Sequence, residues 1–158
     1  MYFSVVVIAI ALLYADPANA VDHLILVGGN GALAFDPPDI TAAAGDTIVF
    51  EFQGNNHSVT QSTFANPCTR QIRPSLGISS GFMPVAAGTT ALPQWLINVD
   101  DVTVPLWFFC AQISPVSHCN QGMVLSVNAP AGQTFVQFQE SFPYTLLGLR
   151  PSNPNNRQ

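Results

Sequence analysis

Apolar and polar positions alternate most clearly over residues 47–53. Ile48, Phe50 and Phe52 fall on one side, while Thr47, Glu51 and Gln53 mark the other. That is the period of a half-buried strand. Shorter apolar runs recur along the chain: His23-Leu24-Ile25-Leu26-Val27, Leu33-Ala34-Phe35, Trp95-Leu96-Ile97-Asn98-Val99, residues 104–109 and residues 123–127, with a brief one around Phe82-Met83-Pro84-Val85. Turn sequences separate them, among them Gly28-Gly29-Asn30-Gly31, Asp36-Pro37-Pro38-Asp39 and Ala44-Gly45-Asp46. Strands this short and this often interrupted predict an all-β antiparallel sandwich or barrel. A helical pattern appears only over Phe135-Val136-Gln137-Phe138-Gln139-Glu140, enough for one or two turns. Residues 69–93 form a long irregular connection, of a kind that is often functional.

The amino terminus follows a different pattern. Residues 5–13 are continuously apolar, and Ala18-Asn19-Ala20 has the small-x-small form of a cleavage site. The run is shorter than the roughly 20 apolar residues that span a bilayer. Residues 1–20 are therefore expected to be a secretory signal. Residues 21–146 would then form one domain and residues 147–158, rich in Pro and Asn, a polar tail. No later segment is apolar enough to cross a membrane, so the protein is expected to be secreted, outside the cell or at its surface.

Charge narrows the partners. Charged residues make up 8% of the chain, lysine is absent and the net charge is −5, which argues against nucleic acid and anionic membranes. Arg70 and Arg73 fall in the irregular connection, where solvation or local ion pairs is the simplest role.

The chemistry concentrates between Trp107 and Met123. Cys110, His118 and Met123 offer a thiolate, an imidazole and a thioether within one loop. Two imidazoles and a thiolate with a weak axial Met is the donor set of blue copper. Of the three histidines, His23 adjoins the expected mature terminus, and His57 follows a strand end in a Gly/Asn turn. His57 alone would read as an ordinary loop residue; the loop around Cys110 makes it the candidate second imidazole. With three histidines in total, a multicopper oxidase is excluded, and no catalytic residue is assigned. Asn56-His57-Ser58 is also an N-glycosylation sequon, although a glycan there would crowd a metal ligand.

Three cysteines in a secreted chain imply one disulfide and one spare thiol. If Cys110 binds metal, Cys68 and Cys119 remain to pair. Bridges from Cys110 to Cys68 or Cys119 would favour an interaction module instead. An immunoglobulin-type inter-sheet bridge fits poorly, because Trp95 lies too far after Cys68 and His118 and Met123 would have no role.

These residues resemble a known family. Asn-Asn-His57-Ser-Val-Thr-Gln-Ser, Asn-Pro-Cys68 and Trp-Phe-Phe-Cys110 followed by Ser-His118-Cys119-Asn-Gln-Gly-Met123-Val look like the cupredoxins, particularly phytocyanin-like and secreted fungal cupredoxin-like proteins. The similarity runs from about Leu24 to Val127. It implies a Greek-key β-sandwich with one mononuclear type 1 copper held by His57, Cys110, His118 and Met123, a Cys68–Cys119 disulfide, and His118 as the exposed ligand for electron entry. The chain departs from plant phytocyanins in the longer interval from Cys110 to His118. The function expected is one-electron transfer by a monomer with an unidentified redox partner. The alternative is an extracellular interaction module, or a copper-sequestering protein, on the same scaffold.

Overall fold

The computed structural model describes residues 20–141. Nearly all of the expected signal segment, and the whole of the expected tail over residues 147–158, lie outside the described residues. In chain order the elements are β1 (Asp22–Val27), β2 (Phe35–Asp36), β3 (Asp39–Ile40), β4 (Thr47–Phe52), β5 (Asn55–His57), β6 (Thr60–Ser62), β7 (Met83–Val85), β8 (Gln94–Asn98), β9 (Leu106–Phe109), β10 (Val124–Val127) and α1 (Phe135–Glu140).

Two four-stranded sheets form, in the orders β2-β1-β4-β8 and β3-β10-β9-β6, and β5 pairs with β7 in a small third sheet. Most neighbours are antiparallel, as expected of the sandwich. Two pairings run parallel: β1 with β4, in register from Asp22–Thr47 to Val27–Phe52, and β3 with β10. The parallel β1–β4 pair matters for function. Both strands start at one end of the molecule and finish at the other, so the turns after Val27 and Phe52 emerge side by side.

The first sheet follows the alternation of its sequence. Ile48, Phe50 and Phe52 of β4 are fully buried, together with Ile25 and Val27 of β1, while the intervening β4 residues are half-buried. Phe50 meets Trp95 of β8 at 5.6 Å between ring centroids and Phe108 of β9 edge-on at 5.9 Å. Phe108, Leu125 and Val127 complete this core from the second sheet.

The second sheet is buried on both faces. Its outer side chains Trp107, Phe109 and Val124 enter a separate apolar cluster with Phe138 of α1. Trp107 lies 4.6 Å from Phe138 and 5.0 Å from Phe64, measured between ring centroids. The helix starts with a capping box. Thr134 Oγ1 accepts the Gln137 N–H at 3.2 Å, and Gln137 Oε1 accepts the Thr134 N–H at 2.9 Å. So short a helix has little stability alone. Its apolar contacts with Trp107 hold it in place.

Candidate metal centre

The site is built where β4 ends. After Phe52 the chain turns through Gln53 and Gly54, and Asn55 adopts a left-handed backbone (φ 57°). This reversal carries His57 back inside, where it is fully buried and pairs with Met83 across the β5–β7 sheet. The turn after β1 closes behind its ring. Gly28 has φ 74°, and a Cβ added there would lie 2.3 Å from His57 Nε2 and 2.5 Å from Cδ2. Only glycine fits both the backbone conformation and the space.

Cys110 lies just past the end of β9, and its N–H donates to the Met123 carbonyl at 3.1 Å. The interval from Cys110 to His118 folds on itself. The Gln112 side chain accepts the N–H groups of Ile113 and Ser114 at 2.9 and 3.0 Å, and its carbonyl accepts the His118 N–H at 2.9 Å. These bonds close the loop locally, the Gln112 side chain also donating to the Asn56 carbonyl at 3.4 Å, and Cys110 Sγ and His118 Nδ1 stand 3.5 Å apart. A 3-10 turn over Cys119–Gln121 and the left-handed Gly122 (φ 93°) then return the chain to Met123. The Met123 N–H donates to the His118 carbonyl at 3.0 Å, and Met123 is fully buried. The backbone of Met123 is thus tied to both Cys110 and His118.

Three donor atoms converge. Cys110 Sγ lies 3.7 Å from His57 Nδ1 and 3.5 Å from His118 Nδ1, and the two Nδ1 atoms are 3.1 Å apart. Donors bound to one ion at about 2.0–2.3 Å stand roughly 3–4 Å from one another in a trigonal or tetrahedral shell. The spacing fits a single ion. The cluster of His57, Cys110 and His118 contains no carboxylate. A soft thiolate with two imidazoles suits copper better than calcium, magnesium or manganese.

Burial sets the charge states. Burial, followed by the proximity of His118, lowers the pKa of His57 to about 4, and burial also lowers that of His118. Both imidazoles are therefore neutral near pH 7, the form that binds metal. Burial pushes the Cys110 thiol up, while the N–H groups of Gln112 and Ser58 pull it the other way. The Ser58 N–H points at Cys110 Sγ at 3.4 Å, and Ser58 Oγ accepts the Ala111 N–H at 2.9 Å. A cation at the site would complete the ionisation of the thiol that burial opposes. Among the described residues, His57 Nε2 is buried without a hydrogen-bond partner. The whole imidazole is thus committed to the interior, with its Nδ1 turned to the cluster.

One expectation changes. His118 is only 4% exposed, so it is not an open surface ligand. The flanking loop residues Ile113 and Val116 are exposed in its place. The sequon at Asn56 is also poorly presented, because Asn56 Oδ1 is buried and Ser58 is engaged with Ala111. Sequence reasoning missed Gly28, Ser58 and Gln112 as site residues. Gly28-Gly29 was visible only as a turn and Ser58 only as part of the sequon.

Cys68 and Cys119 are bridged, with Cα atoms 5.7 Å apart and a sequence separation of 51, and Cys110 is a buried free thiol. The bridge joins the segment following His57 to the residue after His118. In the loop-entropy account a closure of this length stabilises by about 4 kcal/mol.

No family model matches the chain. It is 28% identical over 134 residues to "Probable GPI-anchored cupredoxin-1" of Arthroderma benhamiae, covering 84% of this chain and 64% of that protein. It is 33% identical over 125 residues to "Extracellular serine-rich protein" of the same organism, covering 78% of this chain and 44% of the relative. The chain thus spans less than two thirds of either relative's length. Among solved structures, native pseudoazurin from Hyphomicrobium denitrificans superposes with a TM-score of 0.47 at 18% identity, covering 67% of this chain and 73% of that one. The chain is thus a two-sheet β-sandwich with similarity to two fungal proteins, one of them named as a cupredoxin.

Proposed function

We propose that this is an extracellular mononuclear copper protein that passes single electrons. His57 Nδ1, His118 Nδ1 and Cys110 Sγ would hold the ion, with Met123 as a weaker fourth donor. The supporting observation is the convergence of a free buried thiol and two neutral imidazoles at 3.1–3.7 Å, without a carboxylate. Copper held there supplies a reversible Cu(II)/Cu(I) couple.

The residues do the rest. His57 is fixed between Gly28 and the β5–β7 pair, so its ring has little room to move. Met123 is fixed through its backbone, which accepts the Cys110 N–H and donates to the His118 carbonyl. The Ser58 N–H bond to Cys110 Sγ stabilises the thiolate and withdraws electron density from it. Phe108, Val59 and Met123 keep water away. Ligands that need not move between oxidation states favour rapid exchange of electrons.

Secretion is part of the proposal. The Cys68–Cys119 bridge suits an oxidising compartment, and the names of both relatives place those proteins outside the cell or on its surface. The test is to load the purified protein with Cu(II) and record its visible spectrum. A strong thiolate-to-copper band that is lost on reduction supports the proposal. Failure to take up copper at stoichiometric concentration would favour an interaction scaffold.

A further inference from the structure

We infer that the processed protein carries a second Cu(II) site at its amino terminus, formed by the α-amine of Val21, the backbone nitrogens of Asp22 and His23, and Nδ1 of His23. It rests on the secretory processing proposed above, and it is separate from the thiolate site. Cleavage after Ala18-Asn19-Ala20 leaves Val21-Asp22-His23 as the first three residues. A free α-amine followed by an imidazole on the third residue can wrap one ion in fused chelate rings. All four donors are nitrogens in a plane, the tetragonal arrangement favoured by Cu(II) and Ni(II).

The structure has this terminus partly arranged. The Val21 nitrogen donates to Asp46 Oδ1 at 3.0 Å, and His23 Nε2 lies 2.7 Å from Asp46 Oδ2. One carboxylate therefore gathers the first nitrogen and the third side chain. An ionised carboxylate only accepts, so the hydrogen on His23 must sit on Nε2. In the neutral ring that leaves the lone pair on Nδ1, the atom the chelate needs. A metal-bound imidazole whose other nitrogen donates to a carboxylate is a recurring way of orienting such a ligand.

The strand permits the change. β2 pairs with β1 only at Leu26 and Val27, so that edge is open at Asp22 and His23. Val21 and Asp22 are exposed. Chelation must break the bond from the Thr47 N–H to the Val21 carbonyl at 3.0 Å and lift the first residues from β4, while the Asp46 contact to Nε2 can remain. Binding releases one proton from the α-ammonium and one from each of the two backbone amides, so uptake weakens in acid. Nitrogen donors without a thiolate or thioether hold Cu(II) but not Cu(I), so this site stores the ion and carries no electrons.

The experiment uses the secreted, processed protein. Its amino-terminal residue is sequenced, and Ni(II) and then Cu(II) are titrated into the Cys110→Ser variant, which cannot give a thiolate band. The expected result is a Val21 terminus, a yellow diamagnetic square-planar Ni(II) complex, and one equivalent of violet Cu(II) complex. His23→Ala, or one extra residue ahead of Val21, should abolish both while circular dichroism stays unchanged. A terminus other than Val21, or equal uptake by His23→Ala, would overturn the inference. The blue band of the unmutated protein reports the thiolate site independently. Blue protein without the violet complex removes only this inference, and a violet complex without blue protein removes only the proposed electron-transfer centre.

Discussion

His57 and His23 lie at opposite ends of the same parallel strand pair, and their surroundings differ in a telling way. Along β1, His23 and Gly28, which backs His57, are separated by roughly 17 Å. At one end His57 is fully buried and has a thiol and a second imidazole beside it, with no acid in that cluster among the described residues. At the other, His23 is partly exposed and meets the carboxylate of Asp46. Burial without a counter-charge keeps His57 neutral and leaves its ring nitrogens short of partners, which favours a metal. A carboxylate at the strand start instead fixes the tautomer of His23 and ties down the backbone of Val21.

The largest expected effect comes from intruding on the buried end. Gly28→Ala forces a left-handed alanine and a Cβ into the His57 ring. Backbone strain and overpacking together should destabilise by roughly 2–5 kcal/mol. Chemical denaturation measures this, and copper retention should fall in parallel. An unchanged midpoint would mean that His57 moves freely and that the site is not preorganised.

Removing the bridge should be milder and of a different kind. Cys68→Ala combined with Cys119→Ala should lower stability by about 2–4 kcal/mol while the donor set remains. The copper-loaded variant should stay blue, with a lower melting temperature in calorimetry. Loss of colour together with full stability would show that the bridge serves the ligands and not the fold.

The strand-start end should respond to acid. Hydrogen bonds from His23, Val21 and Ala43 lower the folded pKa of Asp46 to about 2, below the ordinary carboxylate value of 3.8. A depressed carboxylate pKa stabilises above the unfolded value and loses that contribution as pH falls through the folded one. Unfolding free energy should therefore decline between about pH 4 and pH 2. Asp46→Asn should flatten that decline, as followed by urea titrations at a series of pH values. An identical slope in the variant would remove Asp46 from the account.

Much of this comparison was legible in the sequence. The alternation over residues 47–53 located β4, and the apolar runs near His23, Trp95, Trp107 and Val124 located four more strands within a residue or two. The donor residues declared themselves through rarity, there being three histidines and three cysteines. The pairing of β1 with β4 was not legible, because a parallel register depends on contacts between distant segments. Nor was burial of both faces of β9 and β10, since the cover comes from Phe64 and Phe138, far away in the chain. Leu33 and Ala34 look like strand residues, yet β2 contains only Phe35 and Asp36, beside the expected Pro break. Gly28 stayed hidden because its importance lies in what it leaves empty.

The smallest effect on the fold should come from Met123→Gln. The side chain is similar in length, so stability should change little, although a buried amide must find a partner. Copper should remain bound and blue, and the potential should fall because an oxygen donor favours Cu(II) over Cu(I). Voltammetry checks this. An unchanged potential would place Met123 outside the donor set.

The most direct measurement is the visible spectrum of the Cu(II)-loaded protein beside that of Cys110→Ser. The account predicts an intense blue sulfur-to-copper band in the first and none in the second, because a serine hydroxyl cannot supply the thiolate electrons. A colourless loaded protein, or a band that survives the substitution, would contradict the assignment of Cys110 as the central ligand.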